Sequence, residues 1–351
     1  MAFRMFSRHF AASSLTVSPD LSNVRTPMGW HLIPVGLNCR LGESLLFTIR
    51  RLGFVCTAHF SDLSLDDPPA LPVEATVRET VDVCVVRSQP VSNALPRFSR
   101  TDGWIRYVPH QYNRYFVELA GTFENYLKHF SGKLRNTIKR HVRRFCEVSD
   151  GKIDFRQYAT AEELDKFRPL AIELSARTYQ TRVLGCGLPT TTDFWRRARE
   201  AAERGEIRAY LLFLAERPVA FIYCVVERGI IEQRYLGFDP DCRDHAPGVV
   251  LLYCTLQSLF AAGVDRIFDF TEGENLQKQQ FGTKHVYCAD IYFFRNGLAN
   301  AALVGLHCVI DVFSDWLGRR LEALGIKGAV KHLVRALRRH GSSRSTLSDR
   351  M

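Results

Sequence analysis

The sequence predicts an α+β protein built on a mixed sheet. Three observations carry that expectation. Three apolar strands, 207–214, 219–227 and 230–236, are joined by Glu216-Arg217-Pro218 and Arg228-Gly229, short links that make antiparallel hairpins. Helical periodicity over 161–178 and 192–204 precedes that meander. A helix at 249–262 and strands at 266–270 and 286–294 follow it. Helices, then a meander, then helix and strand define the class.

Taken in order, residues 1–28 read as a disordered tail. Its opening, MAFRMFSRHFAASSL, is basic and apolar without an acid, like an organelle-targeting peptide, but lacks the continuous apolar core of a secretory signal. Residues 29–120 are mixed and weakly periodic. Within them 43–52 reads as a helix, and 81–86, 105–108 and 115–119 as short strands. Asp66-Asp67-Pro68-Pro69 and 88–93 read as loops.

Residues 121–150 form a basic connection. Ser131 can cap a helix in which Leu134, Ile138, Val142 and Phe145 recur at helical spacing. Lys133, Arg135, Lys139, Arg140, Arg143 and Arg144 give it a cationic outer face uninterrupted by an acid. That face is either a solvated surface or a groove lining for phosphate or an anionic acceptor, with Arg140, Arg143 and Arg144 as the candidate contacts.

Residues 151–300 make the second α/β block. A strand at 153–158 leads to helix 161–178, with Thr160 as cap and Glu163 at the capping-box position. Gly205 ends helix 192–204, and Gly263 is the expected C-cap of helix 249–262. Residues 301–351 begin with an apolar stretch, 301–317, that Asp311 and Asp315 interrupt, and end in a basic segment, 327–350. The stretch is short for a membrane span. It reads as an amphipathic helix packed on the domain, with a basic flank suited to peripheral contact with anionic headgroups.

Composition narrows the function. At 351 residues, 46% hydrophobic and 24% charged, the chain has room for two domains and a core that needs no metal or disulfide. Ten scattered cysteines without a CxxC pair indicate free thiols in a reducing, cytoplasmic setting; no Cys/His group has metal-ligand spacing. The net charge of +10 points to anionic partners: a phosphorylated cofactor, an anionic lipid surface or RNA.

The helix opening at Ala246-Pro247-Gly248 is the candidate anion site. Free N–H groups and the helix dipole favour a phosphate there, Gly248 permits close approach, and Pro247 suits the first helical position. Arg243 and His245 stand just before it. On the preceding strand Glu232 and Arg234 alternate, so both can face a cleft, while Tyr235 points the other way.

Four segments resemble, in order and spacing, the CelD/BcsL-type acetyltransferases of polysaccharide biosynthesis, a GNAT branch related to the FemAB peptidyltransferases. They are Phe130-Ser131-Gly132-Lys133 with the basic helix; Gly237-Phe238-Asp239-Pro240; Pro247-Gly248 with the apolar helix; and Phe268-Asp269-Phe270 followed by Gly273-Glu274, Lys278 and Phe281-Gly282. The resemblance covers roughly residues 120–295. It implies a GNAT fold in two halves, the first degenerate. It also implies that the strand ending at Leu236, Gly237 and Phe238 splays from strand 266–270 to admit the pantetheine arm of acetyl-CoA or another acyl-CoA. The glycine-rich pyrophosphate loop of the superfamily is replaced here by residues 242–248.

The implied activity is N-acyl transfer to an amine acceptor. Such chemistry needs a base, a stabiliser for the oxyanion and an acid for the thiolate. Asp269 is the candidate base or acceptor anchor, and Lys278 the candidate oxyanion or acceptor contact. Glu274 and Glu272 are alternative bases. Two other functions remain open: a FemAB-like transferase using aminoacyl-tRNA, and a non-catalytic module of an assembly complex.

Overall fold

A computed structural model describes residues 30–41, 44–57, 71, 81–101, 103–178 and 187–323. The expected tail at 1–28, the loop at 66–69 and the basic segment 327–350 lie outside the described residues. The chain divides into two compact units, one of residues 1–36 and 50–296, the other of 37–49 and 297–351.

The larger unit carries the mixed sheet. Its strands are β1 (Trp30–Leu41), β2 (Ser44–Thr57), β3 (Val83–Pro90), β4 (Phe98–Thr101), β5 (Trp104–Glu118), β6 (Asp154–Tyr158), β7 (Ile207–Leu214), β8 (Arg217–Glu227), β9 (Ile230–Phe238), β10 (Ile267–Asp269) and β11 (Lys284–Arg295). Both β1 and β2 continue into the second unit. The order is β1-β2-β3-β11-β5-β10-β9-β8-β7-β6, with β4 on β5. Most pairs are antiparallel, but β2–β3 and β9–β10 are parallel. The α+β class and mixed sheet are as the sequence predicts.

Helices α1 (Phe123–Lys128), α2 (Gly132–Val148), α3 (Ala161–Arg177), α4 (Thr192–Glu203), α5 (Pro247–Ala262) and α6 (Leu276–Phe281) belong to the same unit. Alternation along β7 splits its side chains between two cores. Tyr210 and Leu212 join α1, α2 and α5, while Ala209, Leu211 and Phe213 join α3 and α4. Val250, Leu251, Leu252 and Leu256 are fully buried, as befits a helix apolar all round. Local signals act as expected. Ser131 caps α2 by accepting from Leu134 N at 3.2 Å, and Thr160 and Glu163 close a reciprocal capping box on α3.

Three expectations from the N-terminal region need correction. Residues 43–52 do not form a helix: the chain from Ser44 is strand β2, and its residues 53–57 pair with 83–87 of β3. The two short strands at 105–108 and 115–119 are one strand, β5, held along its length by β11. Pro109 survives inside it because Val108 and Pro109 together lie opposite Ile291, a bulge that removes the need for the missing N–H. The loop expected at 88–93 starts later, since β3 runs to Pro90 and bulges at Arg87-Ser88, where Ser88 has φ +53°.

β11, late in the chain, sits between β3 and β5. The smaller unit holds the β1–β2 tip and helix α7 (Leu298–Ala323). Leu37, Cys39, Leu303, Val304 and His307 are buried there, and Thr48 Oγ1 donates to Asn38 Oδ1 at 2.7 Å. Helix α7 is longer than the predicted 301–317 stretch, and it leaves much of its apolar surface exposed instead of packed away.

Gly237 shows how tightly the larger unit packs. A Cβ there would stand 2.5 Å from the Phe221 ring and 2.8 Å from Thr178 Cγ2. Gly237→Ala is expected to cost about 1–3 kcal/mol through overpacking. Urea unfolding measures it; a loss below about 0.5 kcal/mol, the scale of an ordinary surface change, would mean that Phe221 and Thr178 give way freely.

Candidate active site

β9 and β10 pair in parallel over only three positions, Ile230/Ile267, Ile231/Phe268 and Glu232/Asp269. The chain then leaves β9: Phe270 N donates to Tyr115 O of β5 at 3.1 Å. Thr271 Oγ1 still donates to Gln233 O, at 3.2 Å, and Thr271 turns the backbone with φ +61°. β9 continues to Phe238, paired from there on with β8 alone. A bulge at Arg234, between Gln233/Cys224 and Tyr235/Tyr223, bends it further. Beyond Glu232, β10 therefore no longer pairs with β9.

After β9, Asp239 is fully buried; it accepts from Arg217 and from Asp241 N at 3.1 Å and forms an ion pair with Arg177 at 3.4 Å. A 3-10 turn, Pro240–His245, follows, and Ala246 enters the left-handed region (φ +49°) to start α5. The anion site is narrower than the sequence suggests. Ala246 N donates to Arg243 O, Val249 N and Val250 N both reach Ala246 O, and Pro247 has no N–H. Gly248 N–H alone in this first turn has no partner among the described residues. No side chain caps the helix. A Cβ on Gly248 would make ordinary contact with Phe238, at 3.4 Å. Arg243 is exposed and His245 half-buried; Leu236 and Phe238 are half-buried against the α5 core.

Across β10 the carboxylates of Glu232 and Asp269 are register neighbours, both buried. Arg114 of β5 stands between them. Its Nε reaches Asp269 Oδ1 at 3.2 Å and Oδ2 at 3.0 Å, its Nη2 also binds Oδ2, and Nη2 lies 3.5 Å from Glu232 Oε1. Thr271 N donates to Asp269 Oδ1 at 2.9 Å. Arg234 closes the chain on Glu232. Burial opposes the charge on Arg114, but Asp269, Glu272 and Glu232 together outweigh it and raise the guanidinium's pKa further above its usual range.

Asn275 caps α6 by accepting from Lys278 N at 2.8 Å, which aims the lysine back at the turn. Lys278 Nζ donates to Thr271 O at 3.3 Å and to Glu272 O. Burial lowers Lys278 to about 8, against the pull of Asp269 and Glu272, with Arg114 adding to the fall. The turn thus brings Asp269 and Lys278 into one charged cluster.

Glu272 differs from its neighbours. Its half-buried carboxylate has no hydrogen bond or ion pair among the described residues, yet four cations surround it. Burial pushes its pKa up, but Arg87, Arg114, Arg234 and Lys278 together hold it below the usual value. Glu274 is committed: Oε1 accepts from Tyr115 Oη at 3.1 Å and Gln279 Nε2 at 2.7 Å, and Oε2 from Asn113 N at 3.4 Å.

The cluster extends to residues the sequence reading passed over. Arg87 lies 3.4 Å from Asp290 Oδ2. Asp290 Oδ1 accepts from Ser88 N at 3.0 Å and Tyr112 Oη at 3.3 Å. Burial, then Asp290 and Glu272, push the Tyr112 hydroxyl well above its ordinary pKa. One signal was present: Arg87 closes a run of apolar residues, and Arg114 stands in phase with Tyr112 and Phe116 on one strand. A charge at a core position demands a partner.

Arg140, Arg143 and Arg144 are exposed on α2, which packs on α5 and on the turn before it. Arg143 pairs only with Glu147, at 3.6 Å on the surface. None of the three joins the cluster around Asp269.

Residues 132–279 match the model of the acetyltransferase (GNAT) domain. That match, on a mixed-sheet α+β fold, makes the chain an enzyme of the acyltransferase class. Solved structures resemble it at low identity. The C-terminal domain (DUF2156) of a protein from Agrobacterium fabrum named as a lysylphosphatidylglycerol synthetase is 12% identical, with 80% of this chain and 85% of that one covered and a TM-score of 0.48. L-PGS from Bacillus licheniformis is 12% identical over 83% and 86%, TM-score 0.41. FemX is 8% identical over 78% and 90%, TM-score 0.43. No curated protein matches in sequence.

Proposed function

We propose that this enzyme transfers an acyl group from acetyl-CoA or another acyl-CoA to the amine of a sugar or polysaccharide precursor, in the manner of the CelD/BcsL-type branch. The observation that carries the reading is the separation of β9 from β10 after Glu232. An extended polyamide arm needs backbone partners, and the side of β9 that β10 leaves after Glu232 is where it would find them, as in strand addition. Gly248 N–H, Arg243 and His245, just after β9, suit the phosphates.

A bound acyl-CoA supplies the activated thioester; the chain's residues do the rest. Glu272, uncommitted and ionised, holds the acceptor's amine and takes the proton that nitrogen sheds after attack. Lys278, protonated at neutral pH and fixed by Thr271 O and Glu272 O, faces the developing oxyanion. With its pKa near 8, close to the ~8.5 of a thiol, it can return a proton to the departing sulfur at little cost. Asp269 becomes a positioning residue: its oxygens are taken by Arg114 and Thr271 N, and it is fully buried. Glu274 fixes β5 to the turn in the same way.

Titration calorimetry with acetyl-CoA tests the donor site. The wild type is expected to bind, and Gly248→Glu to weaken binding at least about tenfold by placing a carboxylate where phosphate belongs, with an unchanged melting profile. Equal binding by a folded Gly248→Glu variant would move the site elsewhere. A second reading, transfer from aminoacyl-tRNA, draws support from the exposed cations of α2. It predicts tRNA binding that weakens steeply with salt and with Arg140, Arg143 and Arg144 reversed to Glu.

A further inference from the structure

Helix α7 turns an apolar face outward. Leu298, Leu306, Val309, Val312, Phe313 and Trp316 fall on one face of the helix, and all are exposed, Leu298 at 92% and Val309 at 66%. The opposite side is mixed: Asn300, His307, Asp311 and Ser314 carry polar groups there and are buried or half-buried beside the buried Leu303 and Val304. A helix facing water does the reverse. Residues Leu298–Arg320 are also long and apolar enough to match a membrane span by length and composition. The polar groups argue instead for a helix lying flat, with only one side wetted by lipid.

The chemistry at the helix end fits the same surface. Phe313 and Trp316 stack at 5.8 Å, and Arg320 sits over the Trp316 ring at 5.7 Å. Trp and Arg are the residue types that settle at the boundary of headgroup and acyl chain. Arg319 and Arg320 are exposed. Beyond them the sequence adds Lys327, Lys331, Arg335, Arg338, Arg339 and Arg344, with Asp349 the one acid after Ala323. Cations next to an apolar, aromatic face select an anionic bilayer over a neutral one.

We infer that α7 binds in the plane of an anionic lipid membrane, its Leu306–Val309–Phe313–Trp316 face among the acyl chains and its arginine end at the phosphates. The full chain should co-sediment with vesicles of phosphatidylcholine mixed with phosphatidylglycerol and much less with phosphatidylcholine alone. Replacing Val309, Phe313 and Trp316 by Glu should cut the partition at least about tenfold. The milder pair Val309→Ser and Phe313→Ser, with circular dichroism of both variants, separates loss of binding from loss of folding. Absence of wild-type binding overturns the proposal, as does binding that the folded variants keep, which would leave only the basic segment at work. Resistance of the bound chain to alkaline carbonate would mean a span. A wild-type dimer that the variants dissolve, without vesicle binding, would mean that a second copy covers the face.

Discussion

Replacing Glu272 by glutamine lowers kcat by about two to four orders of magnitude, the usual range for loss of a positioned proton acceptor. Glutamine keeps the shape and breaks no hydrogen bond among the described residues, so acetyl-CoA affinity should change little, while the melting temperature falls modestly because a carboxylate held below its usual pKa stabilises the fold at neutral pH. A second effect follows from charge. Glu272 helps hold Lys278 protonated, so its loss lowers the lysine's pKa below about 8. If Lys278 acts as the cation, activity falls as pH rises through that value, and this alkaline limb moves to lower pH in the variant. Near-wild-type kcat with an unmoved limb would remove both residues from the chemistry. Asp269→Asn separates positioning from catalysis: its main deficit should be in stability.

Arg114→Ala costs about 3–5 kcal/mol, the penalty for leaving buried carboxylates without their cation. That is a large share of the roughly 5–15 kcal/mol that holds a domain together. Arg114 is 3% exposed and serves two buried acids on neighbouring strands, so no water replaces it. Urea unfolding at pH 7 reads the loss. Arg143→Ala is the comparison. Its surface pair with Glu147 is worth at most about 1 kcal/mol, and equal losses from the two would refute the buried-cluster account.

What the sequence disclosed follows the range of each interaction. Ser131, the Thr160–Glu163 box, Gly263 and the two hairpin turns act on residues a few positions away, and each element they define is where periodicity puts it. The N-terminal strands are set by partners far along the chain. Ser44–Thr57 shows apolar residues at helical spacing, and its pairing with β1 and β3 makes it a strand. The polar middle of β5, from Pro109 to Arg114, reads as a break until β11 is laid beside it. The site divides the same way. The turn from Asp269 to Lys278 is local and could be read. Arg114 reaches it from 155 residues away, and Asp290, just past the turn, holds Arg87 across 203 residues; no spacing rule reports either.

The insertion of β11 between β3 and β5 has a consequence for synthesis. As the chain leaves the ribosome, β5 emerges nearly 170 residues before the strand that flanks it, since Lys284 pairs with Phe116. Until then β3 and β5 present open, apolar edges of the kind that recruit other chains. Such high contact order slows folding and lengthens that exposure. The stretch 132–279 made alone would lack β5 and β11 altogether. It would carry Asp269 and Glu232 without Arg114, and it should be recovered as aggregate rather than as a smaller working enzyme.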